Sequence, residues 1–188
     1  MLETVSNKLN MRIVEDLKVQ IFADGADLDG IVEMYKNPLV KGFTTNPSLI
    51  AQAGEKDYEG FARRVLAAVP DRPISFEVFA DDFGEMIRQG RQIATWGANV
   101  NAKIPVTNTK GVFAGDVISA LSNEGVTLNI TAIFTPQQAK MVAEALAPDA
   151  PALVSVFAGR IADTGVDPLP VMKECLDILK TRPKAQLL

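Results

Sequence analysis

The sequence predicts an α/β protein whose parallel strands are arranged as a (β/α)8 TIM barrel. Three observations lead there. Short apolar or β-branched runs alternate with amphipathic helical stretches, the pattern of β-α units and a parallel sheet. The turn after the first strand, ADGADLDG, is neither G-x-G-x-x-G nor G-x-x-x-x-G-K-[ST], so the phosphate loop typical of a doubly wound open sheet is missing. Polar residues fall on one face of six successive strands, and a barrel gathers chemistry from the ends of many strands into one mouth.

The elements follow in order. Leu2, Val5, Leu9, Ile13 and Leu17 recur every three or four positions and predict an amphipathic N-terminal helical extension over residues 1–18. The barrel domain then runs from 19 to 188. Its strand candidates are VQIFADG (19–25), VKGFTTN (40–46), ISFEVFA (74–80), NVNAKIPVT (99–107), VTLNITAIF (126–134) and LVSVFAG (153–159), with AQLL (185–188) opening a seventh. Helices are expected over 27–36, 57–69, 83–96, 111–123, 136–146 and 167–180. Pro136 after Thr135 and Pro168 after Asp167 are start signals; Trp96-Gly97 and Asn123-Glu124-Gly125 are stops.

Composition narrows the chemistry. The 188 residues, 47% hydrophobic, suit one sizeable core better than two domains. Histidine is absent, which excludes Ser-His-Asp and Cys-His catalysis and most zinc chemistry. Acid-base work therefore falls to carboxylates, lysine, hydroxyls or water. The single cysteine, Cys175, forms no internal disulfide and fits a reducing cytoplasmic setting. The net charge is −4 and no basic stripe runs along the chain, so nucleic acid is not an expected partner. No apolar run approaches the roughly 20 residues of a membrane span, and the N-terminus lacks the apolar stretch of a signal peptide.

Buried parallel strands should be apolar on both faces. Here one parity of each strand is polar. It offers Gln20, Phe22 and Asp24; Gly42, Thr44 and Asn46; Ser75, Glu77 and Phe79; Asn101, Lys103 and Pro105; Asn129 and Thr131; Ser155 and Phe157. Lys103, Asn129 and Ser155 follow at intervals of 26 residues, about one β-α unit, which predicts similar heights in the sheet. Buried charges cost several kcal/mol each unless compensated, on the order given for ions in apolar surroundings. Asp24, Asn46, Glu77, Lys103, Asn129, Thr131 and Ser155 are therefore expected to converge as a site.

Each residue also has a plainer reading. A lone strand lysine can guard an edge against aggregation. With inward carboxylates beside it, Lys103 reads instead as an amine nucleophile, since desolvation favours the neutral form that attacks a carbonyl. Asp24 and Glu77 are salt-bridge partners or acid-base groups. Asn46, Asn129, Thr131 and Ser155 are structural hydrogen-bonders or the lining of a site for a polyhydroxylated substrate. Arg160, in FAGRIAD, is a surface residue or a bidentate phosphate ligand at a strand end. Trp96, the scattered methionines and Cys175 read as packing.

KGFTTNPSLI (41–50), SFEVFA (75–80), NAKIPVT (101–107), TLNITAIFTPQQA (127–139) and VSVFAGRIAD (154–163) together resemble the transaldolase family, in its small-subunit branch with the fructose-6-phosphate aldolases. The resemblance covers about residues 19 to 188. It implies that Lys103 is the Schiff-base lysine and that Asp24 takes the C4-hydroxyl proton during cleavage. It implies that Glu77 handles proton transfers through a water that Thr131 positions. Asn46 and Asn129 would hold the dihydroxyacetone unit, Ser155 would lie beside it, and Arg160 would bind phosphate. The aldolases of the family carry glutamine at the position of Glu77 and tyrosine at that of Phe157, so both residues match the transaldolase version. Phe157 lacks the hydroxyl that could protonate the enamine carbon, so the intermediate would wait for an acceptor.

The family pattern also continues past Leu188, through the rest of strand seven, an eighth strand, closing helices, a second phosphate-binding arginine and a serine. The barrel is thus expected to be interrupted within strand seven here. The expected activity is dihydroxyacetone transfer between sugar phosphates in the pentose phosphate pathway, with no metal or organic cofactor. The family further implies a cytoplasmic homo-oligomer, ring-like decamers being usual in this branch. The rivals are an aldolase releasing free dihydroxyacetone and a non-catalytic sugar-phosphate-binding barrel.

Overall fold

A computed structural model describes residues 19–188, so the expected N-terminal helix lies outside the described residues. Seven parallel strands lie side by side in sequence order: β1 (Ile21–Asp24), β2 (Val40–Thr44), β3 (Ile74–Glu77), β4 (Val100–Pro105), β5 (Leu128–Ile133), β6 (Ala152–Val156) and β7 (Ala185–Leu187). Helices return the chain after each of the first six strands: α1 (Leu28–Tyr35), α2 (Pro47–Gln52), α3 (Tyr58–Ala68), α4 (Phe83–Ala94), α5 (Gly115–Asn123), α6 (Pro136–Ala145), α7 (Ala158–Asp163) and α8 (Leu169–Leu179). The order and alternation are those of a (β/α)8 barrel through its seventh strand.

Alternation explains the layering. Ile74, Phe76, Ala102, Ile104, Leu128, Ile130 and Val154 point outward and are wholly buried in one core with Val65, Ile118, Leu121 and Val142 of the helices. Each of these side chains except the small Ala102 contributes roughly 1.5–3 kcal/mol by leaving water. Five helix starts are fixed by side chains: Asp27, Asn46, Asp57 and Asp82 accept from backbone amides, and Thr135 forms a capping box with Gln138. The helix expected over 111–123 begins only at Gly115, because Gly111 adopts φ +75° and Thr107 bridges to Phe113. At Gly42 a Cβ would lie 2.2 Å from the Phe22 ring, so only glycine lets Phe22 fill the barrel there.

Two short helices, α2 and α7, were not among the expected ones. Each occupies a loop at the C-terminal end of a strand. Asn46 and Pro47 carry the start signal of α2, an N-cap residue followed by proline at N1, but its six residues are too few to show periodicity.

Candidate active site

Lys103 sits in the middle of β4 with its neighbours Ala102 and Ile104 facing the helices. Its side chain points the other way and is 7% exposed. The ammonium Nζ donates to the Thr45 carbonyl at 3.0 Å and lies 3.2 Å from Glu77 Oε2. Register explains the meeting: Glu77 of β3 pairs with Lys103, which pairs in turn with Asn129 of β5. Burial pushes the Glu77 carboxyl above its ordinary range; the Lys103 charge and hydrogen bond oppose this, and Asp24 adds to it. Glu77 is thus a carboxyl able to hold or release a proton beside an amine.

Behind Lys103 runs a buried chain of hydrogen bonds. Ser155 Oγ donates to Asn129 Oδ1 at 2.7 Å, and Asn129 Nδ2 donates to Ser75 Oγ at 2.9 Å. The equal spacing of Lys103, Asn129 and Ser155 does not give equal height throughout. Asn129 pairs with Leu153, so Ser155 stands two residues farther along β6, and only its side chain reaches back. The cause is the stagger of a tilted barrel, where register shifts between neighbouring strands.

Thr131 is buried and its hydroxyl has no hydrogen-bond partner among the described residues. The next residue, Ala132, has φ 60° and marks a bulge: β5 spends three residues from Ile130 to Ile133 where β6 spends two from Val154 to Val156. Left-handed backbone at a residue with a Cβ costs roughly 1–2 kcal/mol. Such strain beside an unpartnered buried hydroxyl is typical of a working site.

Asp24 ends β1, where its Oδ1 accepts from Thr44 Oγ1 at 2.9 Å, and its charge is felt by Glu77. Asn46 lies beyond β2 rather than within it. It is the N-cap of α2, and its Oδ1 accepts from the Leu49 amide at 2.9 Å, leaving its amide nitrogen for other work. Phe157 follows β6 and packs edge-on against Phe134, with ring centroids 5.6 Å apart. Arg160 stands apart from the buried network. It belongs to the last turn of α7, is 74% exposed in its side chain and pairs with Asp163 at 3.5 Å, at the edge of an open depression lined by Val156, Phe157 and Gly159.

One expected inward residue does not point inward. Phe79 lies past the end of β3, is 54% exposed and rests on Tyr58 of α3. Gln89 Oε1 accepts from both the Phe79 and Ala80 amides at 2.8 and 3.1 Å, which turns the chain before the alternation reaches Phe79. Three contributors were not singled out from sequence. Thr44 holds Asp24, Thr45 offers its carbonyl to Lys103, and Ser75 ends the hydrogen-bond chain. The adjacent threonines before Asn46 and the inward parity of Ser75 were the available signals. Among the described residues no group of three His, Cys, Asp or Glu side chains could hold a metal ion, and no helix is long and apolar enough to cross a membrane.

Residues 21–187 match the transaldolase/fructose-6-phosphate aldolase family. The chain belongs to this family. Among curated transaldolase-family relatives, a probable transaldolase of Dehalococcoides mccartyi is 39% identical over 162 residues, covering 86% of this chain and 71% of that protein. Probable transaldolases of Roseiflexus castenholzii and Hyphomonas neptunium are 37% and 36% identical, covering 70% and 69% of their lengths. The family match spans all seven strands. The chain is an enzyme of the transaldolase family, and members of this family act on sugar phosphates.

Proposed function

We propose that this enzyme transfers a dihydroxyacetone unit from a ketose phosphate of the fructose 6-phosphate type to an aldose phosphate of the erythrose 4-phosphate type, through a Schiff base on Lys103. The observation that carries this reading is the buried Lys103 amine 3.2 Å from the Glu77 carboxylate. Neutral Lys103 attacks the ketose C2 carbonyl. Glu77, raised in pKa, supplies the proton with which the C2 oxygen leaves as water, and an iminium remains. Asp24 takes the C4-hydroxyl proton, the C3–C4 bond breaks, and its electrons pass to the iminium nitrogen. An aldose phosphate departs and a three-carbon enamine stays on Lys103.

Asn129, oriented by Ser75 and Ser155, and the free amide nitrogen of Asn46 suit the hydroxyls of that enamine. The unpartnered Thr131 hydroxyl suits the water that shuttles protons for Glu77. Arg160, once released from Asp163, would bind the substrate phosphate. The enamine adds to the second aldose phosphate, and water cleaves the imine to free the product and the lysine. On this reading the protein works without metal or organic cofactor, as a cytoplasmic homo-oligomer of the pentose phosphate pathway.

Transfer is favoured over release of free dihydroxyacetone because the site has a carboxyl at Glu77 and a bare ring at Phe157, packed on Phe134. A two-substrate assay decides. Turnover of fructose 6-phosphate should require an acceptor aldehyde; steady release of dihydroxyacetone without one would make the enzyme an aldolase.

A further inference from the structure

The strand bearing Glu77 is fastened by a residue that lies outside the sheet. Between β2 and β3 the ladder advances by twos: the Phe43 amide donates to the Pro73 carbonyl at 2.9 Å, and the Thr45 amide to the Ser75 carbonyl at 3.0 Å. The next rung would join the amide of residue 47 to the Glu77 carbonyl. Residue 47 is proline and has no N–H to give. The Tyr58 hydroxyl donates to that carbonyl instead, at 3.1 Å.

The same peptide group is held on its other side. The Val78 amide donates to the Lys103 carbonyl at 3.1 Å, so the peptide that follows Glu77 is pinned both to β4 and to Tyr58. Tyr58 can serve as a fixed post because its ring is gripped edge-on by three others. Phe79, Trp96 and Phe76 lie at centroid distances of 4.8, 5.4 and 6.1 Å. Asp57 caps the helix that Tyr58 begins. Burial pushes the phenol well above its ordinary range, so it stays protonated and able to donate at neutral pH.

We propose that Tyr58 is a positioning residue for Glu77: its hydroxyl replaces the ladder rung that Pro47 cannot make, and so holds the carboxyl at contact distance from Lys103. The proposal rests on the reading of Lys103 and Glu77 as the reacting pair. Glu77 is faced by Lys103 and Asp24, and without its post the carboxyl drifts from the Lys103 charge that lowers its pKa.

Tyr58→Phe removes only the oxygen and keeps the ring cluster. The decisive measurement is the titration of the Glu77 carboxyl by carbon-13 NMR, assigned by its loss in Glu77→Gln. In Tyr58→Phe the midpoint should move up by about half a pH unit or more, and kcat should fall about tenfold with KM within about twofold. Ile93→Val, a core change on α4 beside the same ring cluster, serves as the control. It should lower the melting temperature without moving either the titration or kcat. An unmoved Glu77 titration in Tyr58→Phe overturns the proposal, as does an equal shift in Ile93→Val or an unchanged kcat in an active enzyme. If the wild-type protein shows no turnover yet the titration moves, Tyr58 still positions Glu77 and the transferase reading is what fails.

Discussion

The two faces of the same strands obey opposite rules. Outward, β3 to β6 present Ile74, Phe76, Ala102, Ile104, Leu128, Ile130 and Val154 to the helices, all of them fully buried. Inward, one residue away each time, stand Ser75, Glu77, Lys103, Asn129, Thr131 and Ser155. The outer face needs only volume and apolarity, because burial is non-directional. The inner face needs partners, because each buried polar atom left alone costs about 1–3 kcal/mol. On the proposed reading, stability resides on one side of the sheet and chemistry on the other, and the Thr131 hydroxyl, without a partner among the described residues, is an exception on the inner side.

That division can be broken by substitution. Lys103→Met should abolish transfer, on the order of 10⁴-fold or more, while circular dichroism reports an intact fold. Retained activity would remove Lys103 from the mechanism. Leu128→Ala, on the opposite face, should do the reverse: urea unfolding should show a loss of about 2–5 kcal/mol, with kcat per folded molecule preserved. Asn129→Ala tests a residue on which both properties bear. It strands Ser155 and Ser75, so stability should fall by about 1–3 kcal/mol and kcat by roughly 10²-fold. A stability loss with full activity would make Asn129 a purely structural linker.

The smallest effect is a pH dependence. Burial raises the Glu77 carboxyl above its ordinary 4.5, so the folded protein binds that proton more tightly than the unfolded chain. The resulting stability is present in full below pH 4.5 and is lost as pH rises through the raised value. Glu77→Gln should remove this part of the slope, read as a flatter dependence of the urea midpoint on pH. An identical slope in both proteins would mean that Glu77 is not held in the environment described.

Most of this division is legible in the chain. Period-two alternation with one polar parity marks both faces, because a strand cannot hide a lysine among apolar neighbours without giving it a separate side. The inward side of Glu77, Lys103, Asn129 and Ser155 is read that way. What parity misses is whatever departs from an ideal strand. Phe79 turns out because Gln89, ten residues away, takes its amide. Ser155 stands two residues higher than spacing suggests because barrel strands are staggered. The Ala132 bulge leaves no local signal, since alanine is not a residue that favours positive φ. Asn46 caps a helix too short to be read. Arg160 is reached by its place after a strand end and by resemblance, not by parity, and its guanidinium stands outside the buried network.

The central claim is that Lys103 forms a covalent imine with the substrate. Borohydride reduction in the presence of fructose 6-phosphate, followed by peptide mass spectrometry, tests it directly. A stable adduct carrying the three-carbon unit should map to Lys103 alone and vanish in Lys103→Met. An adduct on any other lysine, or none while turnover proceeds, would contradict the account.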